Sequence, residues 1–433
     1  MRRGYRGCAY ALSAVLATGG CHSRERQRSN PTTDAGSSKT PVMQPDARAE
    51  TTKRTAVERA IGGDVDASPL AAGPKDTCVV RDGTVWCWGS MTSAAVVAVP
   101  GTSKALSVAV GDGFACMLQD DHHVLCWGGN DHGQLGDGTT LAHKAPTEVK
   151  DVGAASIAAG DDFVCAITNA SAVVCWGNNV SHQLGRPDLK GSQTALVVDV
   201  RDPQDKPDAK PRKVVAHGAH TCALLTSGDL RCWGSGTFAP VRVVGPARGD
   251  PSLRYYDEDS EFPDSMASGV SIASLGNAHT CIAIGATLEC WGMNDHWQLG
   301  TEHKDDPSDP MNQNPSVHQT VKLAPAASTP PLAMAAGLAH QCLLTPAGTV
   351  QCWGANDLGQ LGDGTSKQRA EPAEVSGVTE ALAIAAGANH TCALTKDGTV
   401  WCWGDGSLGQ LGDGKVSDQP TAHAKPQRVN WSL

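Results

Sequence analysis

Seven times along the chain, alternating apolar and polar residues run from a cysteine, through a turn, back to Cys-Trp-Gly. The stretch CALTKDGTVWC, residues 392–402, is the clearest copy. A two-residue period on both sides of a Gly-bearing turn predicts a β-hairpin. The cysteines pair by spacing as Cys78/Cys87, Cys116/Cys126, Cys165/Cys175, Cys222/Cys232, Cys281/Cys290, Cys342/Cys352 and Cys392/Cys402, nine or ten residues apart. A spacing of ten needs a three-residue loop, with glycine at its last, left-handed position. Gly228, Gly348 and Gly398 stand there. A spacing of nine needs a two-residue loop: Asp82-Gly83 suits a type I′ turn and Gly285-Ala286 a type II′ turn. The second and third hairpins, with Asp120-Asp121-His122 and Asn169-Ala170-Ser171, lack that glycine, though Asn and Asp tolerate such turns.

Facing residues of an antiparallel pair have Cα atoms about 4.5–5.5 Å apart, within reach of a disulfide. Seven disulfides, one per hairpin, are therefore expected, each closing a small loop worth about 2–3 kcal/mol on the chain-entropy view. Free thiols packed in a core are the alternative. The pairs use 14 of the 16 cysteines; Cys8 and Cys21 remain, both near the N-terminus.

Other pieces recur in order. A glycine-led apolar strand precedes each hairpin, as in AIAAGANHTC and AMAAGLAHQC. After Trp-Gly comes GQLGDG at 133–138, 359–364 and 409–414, with HQLG at 182–185 and WQLG at 297–300. A short strand often led by Pro follows, as in APTEV and EPAEV. Four short strands per unit with glycine-rich turns is the pattern of a propeller blade. These units, Gly…His-Thr-Cys…Asp-Gly-Thr-Val…Cys-Trp-Gly…Gly-Gln-Leu-Gly-Asp-Gly, resemble the regulator of chromosome condensation repeat family. The resemblance implies an all-β, seven-bladed β-propeller of four-stranded blades over residues 65–433. Units one and four lack GQLG, and units three, four and five carry long insertions. The strand around Lys425–Val429 has no hairpin after it. It is expected to join the first blade and close the ring, removing open sheet edges.

The N-terminus changes the setting. Arg2, Arg3 and Arg6 precede the small, apolar stretch Cys8–Gly20, which reads as a signal peptide, too short to span a bilayer. Leu16-Ala-Thr-Gly-Gly-Cys21 resembles a bacterial lipoprotein processing box, which implies lipidation of Cys21 and a signal segment over 1–21. Thr18 holds the place usual for Leu, and an ordinary signal peptide is the alternative. His22 follows the cysteine where an Asp would resemble an inner-membrane retention signal, so the outer membrane or cell surface is the expected location, otherwise the periplasm or medium. Residues 22–64 hold no Phe, Trp or Tyr and are rich in Ser, Thr, Arg, Pro and Asp, which predicts a disordered tether. The only membrane contact expected is the lipid anchor. Export also supplies the oxidising compartment that disulfides need.

With 35 Lys and Arg against 45 Asp and Glu, the chain is net −10, a poor match to a nucleic-acid backbone. Of its aromatics 11 are Trp, and most sit in Cys-Trp-Gly. His220, His279, His340 and His390 each lie two residues before a hairpin cysteine. Zinc sites pair cysteines two to four apart, so these histidines are read as core residues and no metal or other cofactor is expected. The Gly-Asp-Gly turns lack calcium-loop and phosphate-loop patterns, and no catalytic residue set stands out. The insertion 245–268 is acidic around two aromatics, and Tyr255, Tyr256, Asp257, Glu258 and Asp259 are the candidate partner-binding residues. The reading is a non-enzymatic, monomeric scaffold of the cell envelope that binds an unknown protein partner. Two alternatives follow from the resemblance: a guanine-nucleotide exchange regulator like the eukaryotic namesake, and a secreted inhibitor of an enzyme such as a β-lactamase.

Overall fold

Every hairpin forms, and in each the two cysteines face across the ladder and are bonded. The disulfides are Cys78–Cys87, Cys116–Cys126, Cys165–Cys175, Cys222–Cys232, Cys281–Cys290, Cys342–Cys352 and Cys392–Cys402, with Cα separations of 4.0–4.2 Å. These separations fall slightly below the roughly 4.5 Å of the closer antiparallel pairs. The bonds remove the free-thiol alternative at all fourteen positions. Turn chemistry follows spacing: Gly228, Gly348 and Gly398 take φ of 85°, 77° and 78°, Asp82 and Gly83 are both left-handed, and Gly285 has φ 59°. Where glycine is absent, His122 and Ser171 occupy the left-handed position themselves, at φ 72° and 59°.

The computed structural model describes residues 68–92, 94–200, 208–235, 242–243, 269–302, 318–321 and 329–431, all within the unit Arg48–Leu433. The signal segment with Cys21, the tether 22–64 and the loop carrying Tyr255, Tyr256, Asp257, Glu258 and Asp259 lie outside the described residues. The described residues contain strands and turns and no helix.

The expectation of seven separate four-stranded blades is corrected. Among the described residues there are five four-stranded blades, and units two and three form one seven-stranded sheet. The cause is the 17-residue strand His143–Ala159. Its first half pairs with the hairpin of unit two (Cys126 opposite Thr147) and its second half with that of unit three (Ala158 opposite Cys165). Only Asp151, at φ 59°, marks the corner, and ladder bonds resume on both sides of it. In unit four the described part of the outer strand is Arg242–Val243, which runs parallel to Leu230–Gly234.

Ring closure is also corrected. The last strand, Ala422–Arg428, pairs within its own blade, against Val400–Asp405, rather than joining the first. First and last units meet by packing: Leu70, Val79 and Trp88 share a core with Ala383, Cys392, Leu411 and Val429. Trp431 stands edge-on to Trp86 and Trp88 at 5.7 and 6.4 Å between ring centroids, and the Arg81 guanidinium lies 4.7 Å over its ring. Close approach at this seam requires glycine, because a Cβ on Gly387 would sit 2.3 Å from the Gly73 carbonyl oxygen.

The core is built across seams. The leucine of each Gln-Leu-Gly turn packs against the Cys-Trp-Gly tryptophan of the following unit: Leu135 with Trp176, Leu184 with Trp233, Leu299 with Trp353, Leu361 with Trp403, and Leu411 with Trp88. A tryptophan that buries about 200 Å² contributes roughly 5 kcal/mol at 25 cal/mol/Å². These indoles therefore hold neighbouring units together and are not free to serve as surface anchors.

Candidate interaction surface and its inter-unit latches

The tryptophans that join the units also direct hydrogen bonds. Trp88 Nε1 donates to the Gln410 carbonyl at 2.8 Å, Trp176 to Gln134 at 2.9 Å, Trp233 to Gln183 at 2.8 Å, Trp353 to Gln298 at 3.0 Å and Trp403 to Gln360 at 2.9 Å. Each acceptor is the backbone oxygen of a Gln-Leu-Gly turn. The first unit lacks that turn, and Trp127 Nε1 is buried with no hydrogen-bond partner. Met91 packs against the cluster that holds Trp127, which fills space without offering a carbonyl there.

Two of these latches extend into a relay. The Thr391 hydroxyl donates to the Gln360 carbonyl at 3.1 Å, and His340 Nε2 lies 2.9 Å from the same hydroxyl. Since the hydroxyl proton is committed to the carbonyl, the histidine must donate through Nε2–H. At the closing seam His390 Nε2 is 2.8 Å from Thr77 Oγ1, which reaches the Gln410 carbonyl at 3.4 Å. Burial in apolar surroundings holds these histidines neutral: loss of hydration depresses His220, His279 and His340 to about 3 and His390 to about 4. His217 falls to about 4 for the same reason. His220 makes no hydrogen bond through either ring nitrogen.

The turns themselves are organised by asparagines that the motif reading passed over. Asn130 Oδ1 accepts the Leu135 N–H, while its amide donates to the carbonyls of Thr139 and Leu141. Asn356 repeats this with Leu361, Thr365 and Lys367. Asn179 and Asn294 bind Leu184 and Leu299 in the same way. An Asn four residues before each of these glutamines was the available signal. The aspartates of Gly-Asp-Gly are consumed locally. Burial pushes the Asp137 carboxyl up, but donation from Thr139, Asn130 and His143 outweighs it and holds the group below its usual value. Asp363 behaves alike, with Thr365, Asn356 and Arg369 as partners. In the connection between the strands His143–Ala159 and Phe163–Thr168, Asp161 is raised to about 6, first by burial and then by repulsion from Asp112 and Asp162. No group of three His, Cys, Asp or Glu suited to a metal occurs among the described residues.

The repeated polar groups thus bind unit to unit, which leaves loops and seams as the variable surface. The profile of the RCC1-like domain matches residues 93–433. The chain belongs to the RCC1-like domain family. Relatives of this RCC1-like chain include the mitochondrial RCC1 domain-containing protein RUG3 of Arabidopsis thaliana, 26% identical over 176 residues, which are 41% of this chain and 37% of that one. The ultraviolet-B receptor UVR8 of the same plant is 30% identical over 182 residues, 40% of this chain and 36% of that one. The probable E3 ubiquitin-protein ligase HERC3 of Homo sapiens is 38% identical over 104 residues, 24% of this chain and 9% of that one. The matches span well under half the length of these relatives. Among solved structures, yeast RCC1 (Prp20) in complex with Kap60 matches with a TM-score of 0.64 at 18% identity, over 84% of this chain and 88% of that chain. Prp20p from Saccharomyces cerevisiae, described with its binding to Gsp1p and histones, gives 0.63 at 18%, over 85% and 90%. At that identity the likeness of the RCC1-like chain to both is one of fold. Among the described residues no helix is long and apolar enough to cross a membrane.

Proposed function

We propose that this protein is a non-enzymatic protein-interaction scaffold of the cell envelope, exported and held there by a lipid on Cys21. The observation that carries the reading is how the frame uses its chemistry. Indoles, threonines, glutamine carbonyls and turn carboxylates are spent between and within units, and a disulfide locks every hairpin. What varies from unit to unit is the inserted loops, and function on a rigid scaffold resides in such loops. The disulfides favour an oxidising compartment. RCC1-like relatives support a role in binding and regulation. Tyr255, Tyr256, Asp257, Glu258 and Asp259 are the proposed anchors within the acidic insertion.

The test is photo-cross-linking in cells that express the full chain, a variant lacking residues 245–268, and Cys21→Ser. The full chain should fractionate with membranes and cross-link to a defined envelope protein. The deletion should lose that product, and Cys21→Ser should move to the soluble fraction. An unchanged product in the deletion variant removes the loop as the site, and an absence of envelope cross-links from the full chain removes the scaffold reading.

A further inference from the structure

At three seams the turn after Trp-Gly leans on the next unit, twice on its outer strand and once on the segment leading into it, and only glycine permits the approach. A Cβ on Gly133 would lie 2.7 Å from Gln193 Cα, on Gly359 2.5 Å from Ala424 Cα, and on Gly409 2.4 Å from Ala94 Cα. Their φ values are 78°, 79° and 81°. Unit five places Trp297 at this point of the turn, with φ 63°. An indole cannot be seated where a single methyl group would already collide. The seam between units five and six instead contains a groove of about 410 Å³, lined by Trp297, Thr301 and Glu302 from the turn and by Arg369 and Glu371 from the strand Arg369–Glu374.

The charges in the groove are unequal. Arg369 Nε donates to Asp363 at 2.8 Å, so its positive charge already has a partner. Glu302 and Glu371 are exposed and form no ion pair among the described residues. The lining therefore offers one aromatic face and two uncommitted carboxylates. An anion is repelled there, and a neutral ligand can donate hydrogen bonds to the carboxylates but gains no attraction between opposite charges. A cation is drawn by both features: to the indole by the ring quadrupole and to the carboxylates by charge-assisted hydrogen bonds. The −10 net charge of the chain adds long-range attraction for a basic partner.

We propose that this groove is a docking site for a basic segment of a partner protein, with a lysine or arginine side chain inserted between Trp297, Glu302 and Glu371. Trp297 then has two effects: it wedges the seam open and it forms one wall of the site. The inference rests on the scaffold reading and assigns it one surface and one ligand chemistry.

Fluorescence anisotropy of a fluorescein-labelled tetralysine amide, titrated with the full chain, tests it. The control is the same peptide with acetylated side chains. The free-amine peptide should bind and weaken as salt rises, and the acetylated one should not bind. The double variant E302Q/E371Q should weaken binding by about tenfold or more. Trp297→Gly should weaken it similarly while raising the Tm, because glycine takes the left-handed conformation without strain. Absence of binding, equal binding of the acetylated peptide, or affinities within about twofold of wild type for E302Q/E371Q would each overturn the proposal. The envelope cross-links serve as a separate readout. If they persist in E302Q/E371Q while the peptide result is negative, the groove is excluded and the scaffold remains; if the full chain yields none, the scaffold reading itself has failed.

Discussion

Two arcs of the ring solve one packing problem with different chemistry. Two residues before the first hairpin cysteine, units four to seven carry His220, His279, His340 and His390, whereas units one to three carry Asp76, Phe114 and Phe163. The rings occupy the same space. A Cβ on the strand-ending glycine would lie 2.0 Å from the ring of Phe114 or Phe163 and 2.2 Å from that of His340 or His390. The position thus demands a flat ring beneath a glycine, and polarity is an addition. In one arc the addition builds a relay from His340 or His390 through threonine to a glutamine carbonyl. In the other, phenylalanine fills the space without a proton to place. Asp76 is the exception: its carboxylate accepts from the Met91 N–H and the Ser90 hydroxyl, and burial raises its pKa above the usual value. At this position the first unit is therefore tied to itself, whereas units six and seven are tied to a neighbour through His340 and His390.

Acid should break the comparison most strongly. His217, His220, His279, His340 and His390 all titrate well below the ordinary 6.5 in the fold. The unfolded chain binds protons at those sites first, so folding is fully stable above about pH 6.5 and loses stability as pH falls toward about 4. Asp161, raised to about 6, binds its proton in the fold and opposes one of the five, and Asp76, also raised by burial, acts in the same direction. The net slope is on the order of 5 kcal/mol per pH unit. Denaturant unfolding from pH 7 to 4 measures it, and hydrogen exchange should show units four to seven opening first. His220→Phe is the decisive variant, because His220 makes no hydrogen bond to lose. It should reduce the slope by about 1.4 kcal/mol per pH unit and leave neutral-pH stability nearly unchanged. A slope equal to wild type would show that these histidines do not govern acid sensitivity.

The latches supply an intermediate effect. Trp403→Phe removes an N–H that donates to Gln360 at 2.9 Å, whereas Trp127→Phe removes one that is buried without a partner. Both lose similar packing, so the difference isolates the hydrogen bond. Trp403→Phe should be the more destabilising by about 1–3 kcal/mol, read from paired denaturant midpoints. Equal losses would mean that the latch adds nothing beyond the burial of the indole.

How much of this was legible in the sequence depended on distance along the chain. Cysteine spacing and turn residues act within a dozen positions, and Cys392 facing Cys402 across Gly398 follows from them. The fused sheet did not follow. It depends on whether residues 149–154 interrupt the ladder, and one left-handed Asp151 proved too small a break. Closure by Lys425–Val429 failed for a related reason: that strand had a nearer partner in its own blade. The latches were invisible because the acceptor is a backbone oxygen and says nothing through residue type. Trp127 was the readable exception, since the missing Gln-Leu-Gly of unit one leaves its N–H without an acceptor. The proposed anchor Tyr255 lies outside the described residues. Trp297 was visible as a deviation from Gly-Gln-Leu-Gly, but its meaning depended on the neighbouring strand.

The smallest effect concerns the turns in which units two and three replaced glycine. Ser171, at φ 59°, stands where units four, six and seven have Gly228, Gly348 and Gly398. A left-handed L-residue costs about 1–2 kcal/mol, and glycine returns part of that as extra freedom of the unfolded chain. Ser171→Gly should therefore stabilise by about 0.5–1 kcal/mol. His122 occupies the equivalent position at φ 72°, but its Nδ1 lies 3.0 Å from the Ala154 carbonyl, a hydrogen bond that glycine would forfeit. His122→Gly should come out near neutral, because a lost bond of about 1 kcal/mol offsets the relief of strain. Calorimetric melting of the two variants separates the contributions. If both gain equally, backbone strain alone sets the turn; if neither gains, the strain at these positions is already relieved by the disulfide-locked hairpin.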